Sequence, residues 1–315
     1  VQSADLSLSE NQAKNIKIQT QQFKTESAKL IADQQLDLTA AQNIDNQKGQ
    51  YSANQINIDT NHLNNDQGLI QHTGQNDFIL NIADRIDNKT GKIISNANNT
   101  EIKTNSLNSN AGEILHAGNQ QLKITAQSLQ GQQGTIQSNS KLQLELGATN
   151  LDNATTTAQN INLNVTSLSH QQGQLIQSDA NGQLNVNVEQ VLDNTSGVTS
   201  AAGHAKIKTA DLNNQQGVNK SLAQKDLIID SKTVENASGK IIVGRDANLR
   251  VGQLNNDTGI VYADGKLDLQ AEQNVSKQQG LIAAKQALSI KGQALNNQKG
   301  QIQSEQSDVN LKLTQ

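Results

Sequence analysis

The 315-residue chain has no cysteine, proline, methionine or tryptophan, and only two tyrosines and two phenylalanines. Without cysteine there are no disulfides and no thiolate metal sites. Such a chain suits export across an oxidising compartment. The missing proline fits a fold whose strands are nearly all paired on both sides, because a lost N–H would then break a ladder almost anywhere. Compositional bias is the competing explanation. Arginine occurs three times, at Arg85, Arg245 and Arg250, and the net charge is −4. No basic stripe results, so nucleic acid is not an expected partner. No apolar run approaches the length of a membrane-crossing helix, and no signal peptide is visible, so this segment is not expected to insert into a membrane.

Asparagine and glutamine are abundant, at 40 and 44 residues. That composition alone is compatible with low-complexity disorder. A repeat argues against it. Leu63-Asn64-Asn65-Asp66-Gln67-Gly68-Leu69-Ile70 recurs as Leu295 to Ile302, and related units run from Ile86, Leu107, Leu129, Val234 and Leu254, about every 21 residues. Aligned on glycine, the copies place it at Gly49, Gly68, Gly91, Gly112, Gly134, Gly173, Gly197, Gly217, Gly239, Gly259, Gly280 and Gly300. Ala28 and Thr156 are expected in that place in two further copies, making 14 copies at uneven steps, as small insertions and deletions at the corners would produce. A period in the low twenties marks a solenoid, whose repeats bury their apolar faces only by stacking.

Two residues after the glycine stands a mostly apolar position (Ile70, Ile93, Ile114, Ile136, Ile241, Val261, Ile282), and Thr199 and Asn219 are polar departures from it. An alternating pair follows, as in Leu142-Gln143-Leu144 and Leu267-Asp268-Leu269. Alternation with period two indicates strands with one face inward. Three short strands per repeat predict an all-β fold, a parallel β-helix of about 14 coils of about 21 residues. At about 4.8 Å per coil it would be roughly 65–70 Å long. The unbroken repeat predicts one domain over 1–315. Val1-Gln2-Ser3 matches Ile302-Gln303-Ser304, and the chain closes on Leu311-Lys312-Leu313, so the expectation is an excerpt of a longer array.

Three residues before the glycine, Asn recurs at Asn46, Asn65, Asn88, Asn153, Asn194, Asn214, Asn236, Asn256 and Asn297. Stacked coils would set these in one column, where amides can hydrogen-bond from coil to coil. A structural ladder is the expectation, interrupted by Ser109, Gly131, His170 and Lys277.

The pattern L-x-N-x-x-G-x-I-x-S followed by L-x-L resembles the haemagglutinin-type repeats of very large bacterial exoproteins. These include filamentous haemagglutinin adhesins and contact-dependent growth-inhibition exoproteins. The resemblance covers essentially the whole chain and implies the right-handed hand of the helix. It also implies export by two-partner secretion through an outer-membrane β-barrel transporter, and location at the outer cell surface. Adhesive or toxin activity would be carried on the stalk by regions outside this segment, which would meet a target-cell receptor or glycan.

The residues offer little chemistry of their own. His72 and His116 share a repeat position in coils two apart, about 9–10 Å from each other, too far for one zinc ion. They and His62, His170 and His204 read as solvated surface histidines, and no metal or cofactor is expected. Carboxylates are scattered; Asp33/Asp37 and Asp264/Asp268 read as solubilising charge, and no catalytic residue is assigned. Phe23, Tyr51 and Phe78 fall at apolar positions and read as core, leaving Tyr262 as the one outward aromatic. A stalk is the leading reading. A receptor- or glycan-binding segment is the alternative, and a β-helical carbohydrate-active enzyme a remote one.

Overall fold

The structure is a computed structural model and describes residues 2–222 and 224–314. It divides into two compact units, 1–158 and 159–315. The chain is all-β, and its strands build a right-handed parallel β-helix of about 16 turns. Each coil touches only its neighbours in such an array, and both units are built from the same coil.

A single coil shows why these residues fold this way. In the first unit, Leu69–His72, Phe78–Asn81 and Arg85–Asp87 form three strands separated by polar corners. The next coil repeats them as Lys92–Ser95, Asn99–Lys103 and Ser106–Asn108. Pairing is parallel and in register, so that Ile70, Ile93, Ile114 and Ile136 make one column. In the second unit, Ile229, Leu249, Leu269 and Ile290 make another. These side chains are nearly inaccessible. Each contributes about 1.5–3 kcal/mol by burial, which no single coil could secure alone.

Coil length varies because the ladder tolerates bulges. Register shifts occur between Val188 and Val191, and between Ala13 and Asn15. Elsewhere the short strands merge across softened corners, as in Lys29–Asp45 and Gln50–Asn64.

The corner preceding the first strand is the most regular feature. Its four residues close with a hydrogen bond from the glycine N–H to the carbonyl three residues earlier, as from Gly68 to Asn65 at 3.0 Å. The residue before the glycine takes a left-handed conformation: Lys48 at φ 56°, Gln67 at 57°, Gln216 at 56°. Fifteen such corners occur among the described residues, against 14 copies expected. The additional one is Leu6 to Ser9, where serine takes the glycine place. One alignment is also corrected. After Gly134 the corner residue is Ala154, not Thr156, because the left-handed residue is Asn153 and the closing bond runs from Ala154 N–H to Leu151 C=O. The corners are then more evenly spaced than the sequence alignment made them.

Candidate functional site

The corner glycines owe their identity to close approach. None of the described glycines has positive φ. A methyl group on Gly68 would lie 2.4 Å from the Asn46 carbonyl oxygen and 2.6 Å from Asn65 Oδ1. On Gly217 it would lie 2.2 Å from the Asn194 carbonyl oxygen. Each asparagine side chain folds back over its own corner, and only hydrogen fits beneath it. Ala28 and Ala154 occupy the same place in coils whose column residue is Thr25 or Leu151.

The asparagines themselves form runs of amide-to-amide hydrogen bonds. In the first unit Asn46 Nδ2 donates to Asn65 Oδ1 at 2.7 Å, and Asn65 Nδ2 to Asn88 Oδ1 at 2.7 Å. Asn88 Nδ2 then donates to the Ser109 hydroxyl at 3.1 Å. In the second unit His170 Nδ1 lies 3.0 Å from Asn194 Oδ1. Asn194, Asn214, Asn236 and Asn256 follow, joined by Nδ2-to-Oδ1 bonds of 2.8, 2.7 and 2.6 Å. All seven of these asparagines are fully buried. In a low-dielectric column a satisfied amide chain rigidifies the stack, whereas one left unpaired is costly.

Two expected rungs stand differently. Asn153 is not in the column: it is exposed, in the left-handed conformation at φ 58°, and Leu151 takes the rung. Gly131, one coil earlier, leaves the space that Leu151 fills. Asn297 is exposed, and its Oδ1 accepts from Lys277 Nζ. Lys277 is the one fully buried lysine among the described residues, and burial pushes its amine down to about 8.

The histidines at the fourth place after the glycine are a correction. His72 and His116 are buried, not solvated. They lie in one column, His72–Ser95–His116–Ser138, with both rings inside the coil. His72 stacks on Phe78 with ring centroids 4.9 Å apart, and neither ring nitrogen has a partner among the described residues. His116 Nδ1 lies 3.0 Å from the Ser138 hydroxyl and Nε2 3.0 Å from the Ala97 carbonyl. Burial lowers both histidines' pKa, so both are held neutral. His170 is buried as well. His62 and His204 are outward and lie near Asp87 and Asp226.

No cluster of metal-binding side chains occurs among the described residues, and no helix there is long and apolar enough to cross a membrane. Asp37 accepts from Asn57 and Gln35, while Asp264 pairs with Lys285 at 3.3 Å. These contacts assemble no acid–base pair. Phe23, Tyr51 and Phe78 lie in the core, and Tyr262 points outward, half-buried. Burial raises the Tyr51 phenol above its ordinary value.

Comparison by family adds a decisive observation. The haemagglutinin-repeat model matches residues 5–88, 73–128, 117–188, 172–233, 220–277 and 262–314, nearly the entire chain in six overlapping passes. The chain belongs to the haemagglutinin-repeat family. Comparison with curated proteins and with solved structures gave no match. Haemagglutinin repeats in a β-helix suggest a filamentous, adhesin-like stalk segment, and the family is structural and adhesive in character. Its members are generally secreted or surface-exposed.

Proposed function

We propose that this haemagglutinin-repeat chain is a stalk segment of a large secreted exoprotein, one that carries an adhesive or toxin domain away from the producing cell. Export would run through an outer-membrane β-barrel transporter in a two-partner system, and residence would be on the outer cell surface. One observation carries this reading: the inward residues of each coil serve stacking. Apolar columns, the buried asparagine runs and the tight corners all join one coil to the next. The products of such a design are length and cohesion.

The test is an in-register deletion in the full-length exoprotein. Removing residues 215–236 joins Asn214 to Ala237 and excises one coil between two equivalent rungs. A stalk loses about 4.8 Å of reach and keeps secretion and target-cell activity. Loss of that activity with secretion intact would refute the reading.

A further inference from the structure

A groove of about 890 Å³ runs along the outer surface of the second unit, parallel to the stacking direction. It crosses six consecutive coils. One wall is an in-register column: Asn187, Lys208, Asp230, Arg250, Gln270 and Lys291. The other side is the bend after the second strand, with Glu189, Lys232 and Glu272 separated by the small residues Ala210 and Gly252. Six coils set the first and last wall residues about 24 Å apart.

Several opposite charges one coil apart on the surface close into ion pairs: Lys29 with Glu10, Lys92 with Glu113, Lys123 with Glu145, Arg245 with Asp226. In the groove Lys208, Asp230 and Arg250 are also one coil apart, yet none of them is in an ion pair among the described residues. Lys232 and Lys291 are exposed and likewise have no ion-pair partner among those residues. Arg250 is one of only three arginines in the chain, and a guanidinium is the side chain best shaped to hold a carboxylate with two parallel hydrogen bonds.

We propose that this groove binds a linear acidic polysaccharide bearing a carboxylate on every second sugar. Three features select that class. Length across six coils calls for a chain rather than a small molecule. The cations Lys208, Arg250 and Lys291 recur at every second coil, about 10 Å apart, close to the length of one disaccharide in an extended glycan. Between them Asp230 and Gln270, and beside Lys208 at the end of the wall Asn187, offer the planar amide and carboxylate groups that pair with sugar hydroxyls. A peptide fits poorly: the groove has no aromatic or large aliphatic anchor, and neighbouring strands already use each other's backbone groups. Nucleic acid, with a phosphate on every residue, would set charges against Glu189, Asp230 and Glu272, whereas carboxylates two coils apart can meet Lys208, Arg250 and Lys291 alone. The site is independent of the stalk reading, because a stalk needs no ligand here.

The test uses the intact chain and a hyaluronan octasaccharide, with a neutral dextran oligosaccharide as comparison, by titration calorimetry at low and physiological salt. Saturable binding of the hyaluronan probe, weakened by salt, is expected. K208Q and R250Q are each expected to weaken it roughly tenfold, the scale of one lost charge-assisted hydrogen bond. K285Q, outside the groove, is expected to leave it unchanged. Both groove residues are exposed, so circular dichroism of the variants should match that of the parent chain. No binding of the acidic probe, equal binding of dextran, or unchanged affinity in both groove variants would overturn the proposal.

Discussion

Asn214 is the most informative single position for the buried amide run. Its Oδ1 accepts from Asn194 Nδ2 at 2.8 Å, and its Nδ2 donates to Asn236 Oδ1 at 2.7 Å and to the Lys240 carbonyl at 3.2 Å. Asn194, Asn214 and Asn236 are fully buried. Asn214→Ala removes these bonds, leaves Asn236 Oδ1 unpaired and opens a small void. An unmade buried hydrogen bond costs about 1–3 kcal/mol, and each lost net bond about 1 kcal/mol, so the sum is roughly 3–5 kcal/mol. In a one-dimensional array the loss should be local. Hydrogen-exchange mass spectrometry should therefore show peptides within about 194–260 opening more readily than those near residues 90–140, and urea unfolding should begin there. Asn214→Asp separates hydrogen bonding from cavity formation, since the shape is kept while a donor becomes an acceptor. Asn153→Gly is the matched control: that asparagine is exposed at φ 58°, and glycine tolerates the conformation, so stability should change by less than about 0.5 kcal/mol. Equal, small effects at 214 and 153 would refute the reasoning.

Three more outcomes follow from the buried polar groups. Asn219 is fully buried with neither amide atom bonded among the described residues, so Asn219→Val should stabilise the second unit by about 1–3 kcal/mol in urea unfolding; a loss would mean that the amide has a partner in solution. His72 and His116 have lowered folded pKa values, so the unfolded chain binds protons more readily. Stability should be full above about pH 6.5 and fall as pH drops below it, by up to about 1.4 kcal/mol per pH unit for each ring. His72→Leu should flatten that slope, and an unchanged slope would contradict the burial assignment. Lys277, at about 8 in the folded chain, should cost the native state about 3 kcal/mol at neutral pH, a penalty relieved as pH rises from about 8 towards 10.5. Lys277→Asn should therefore raise stability at pH 7 and remove the alkaline gain; destabilisation at pH 7 would show that the lysine is better satisfied than an asparagine.

Much of the coil is legible from spacing. Ile70 and its equivalents, the alternating pairs and the glycine each recur at fixed places, and parallel stacking follows from them. The copy after Gly134 misleads because Thr155, Thr156 and Thr157 give no apolar landmark, while Asn153 mimics the rung asparagine; only the corner hydrogen bond identifies Ala154. Leu6 to Ser9 escapes because serine replaces the glycine. For His72 and His116 the signal is present in the sequence: two residues on from inward Ile70 and Ile114, period-two alternation puts both histidines on the same buried face. Glycine's role at the corner is not legible, since the close approach involves a carbonyl of the preceding coil, a full turn earlier in the chain. The groove is equally hidden. Lys208, Asp230 and Arg250 look scattered along the chain and become one wall only when coils are set in register.

That register is the central claim, and the cysteine-free chain makes it directly measurable. Asn185, Lys206, Ile228, Asn248 and Asp268 occupy one column across four successive coil steps. Spin labels on Asn185→Cys and Asp268→Cys should give a single dipolar distance of about 19 Å, broadened by the label linkers, from four steps of about 4.8 Å. A distance beyond about 30 Å, or a broad distribution without a peak, would contradict parallel in-register stacking.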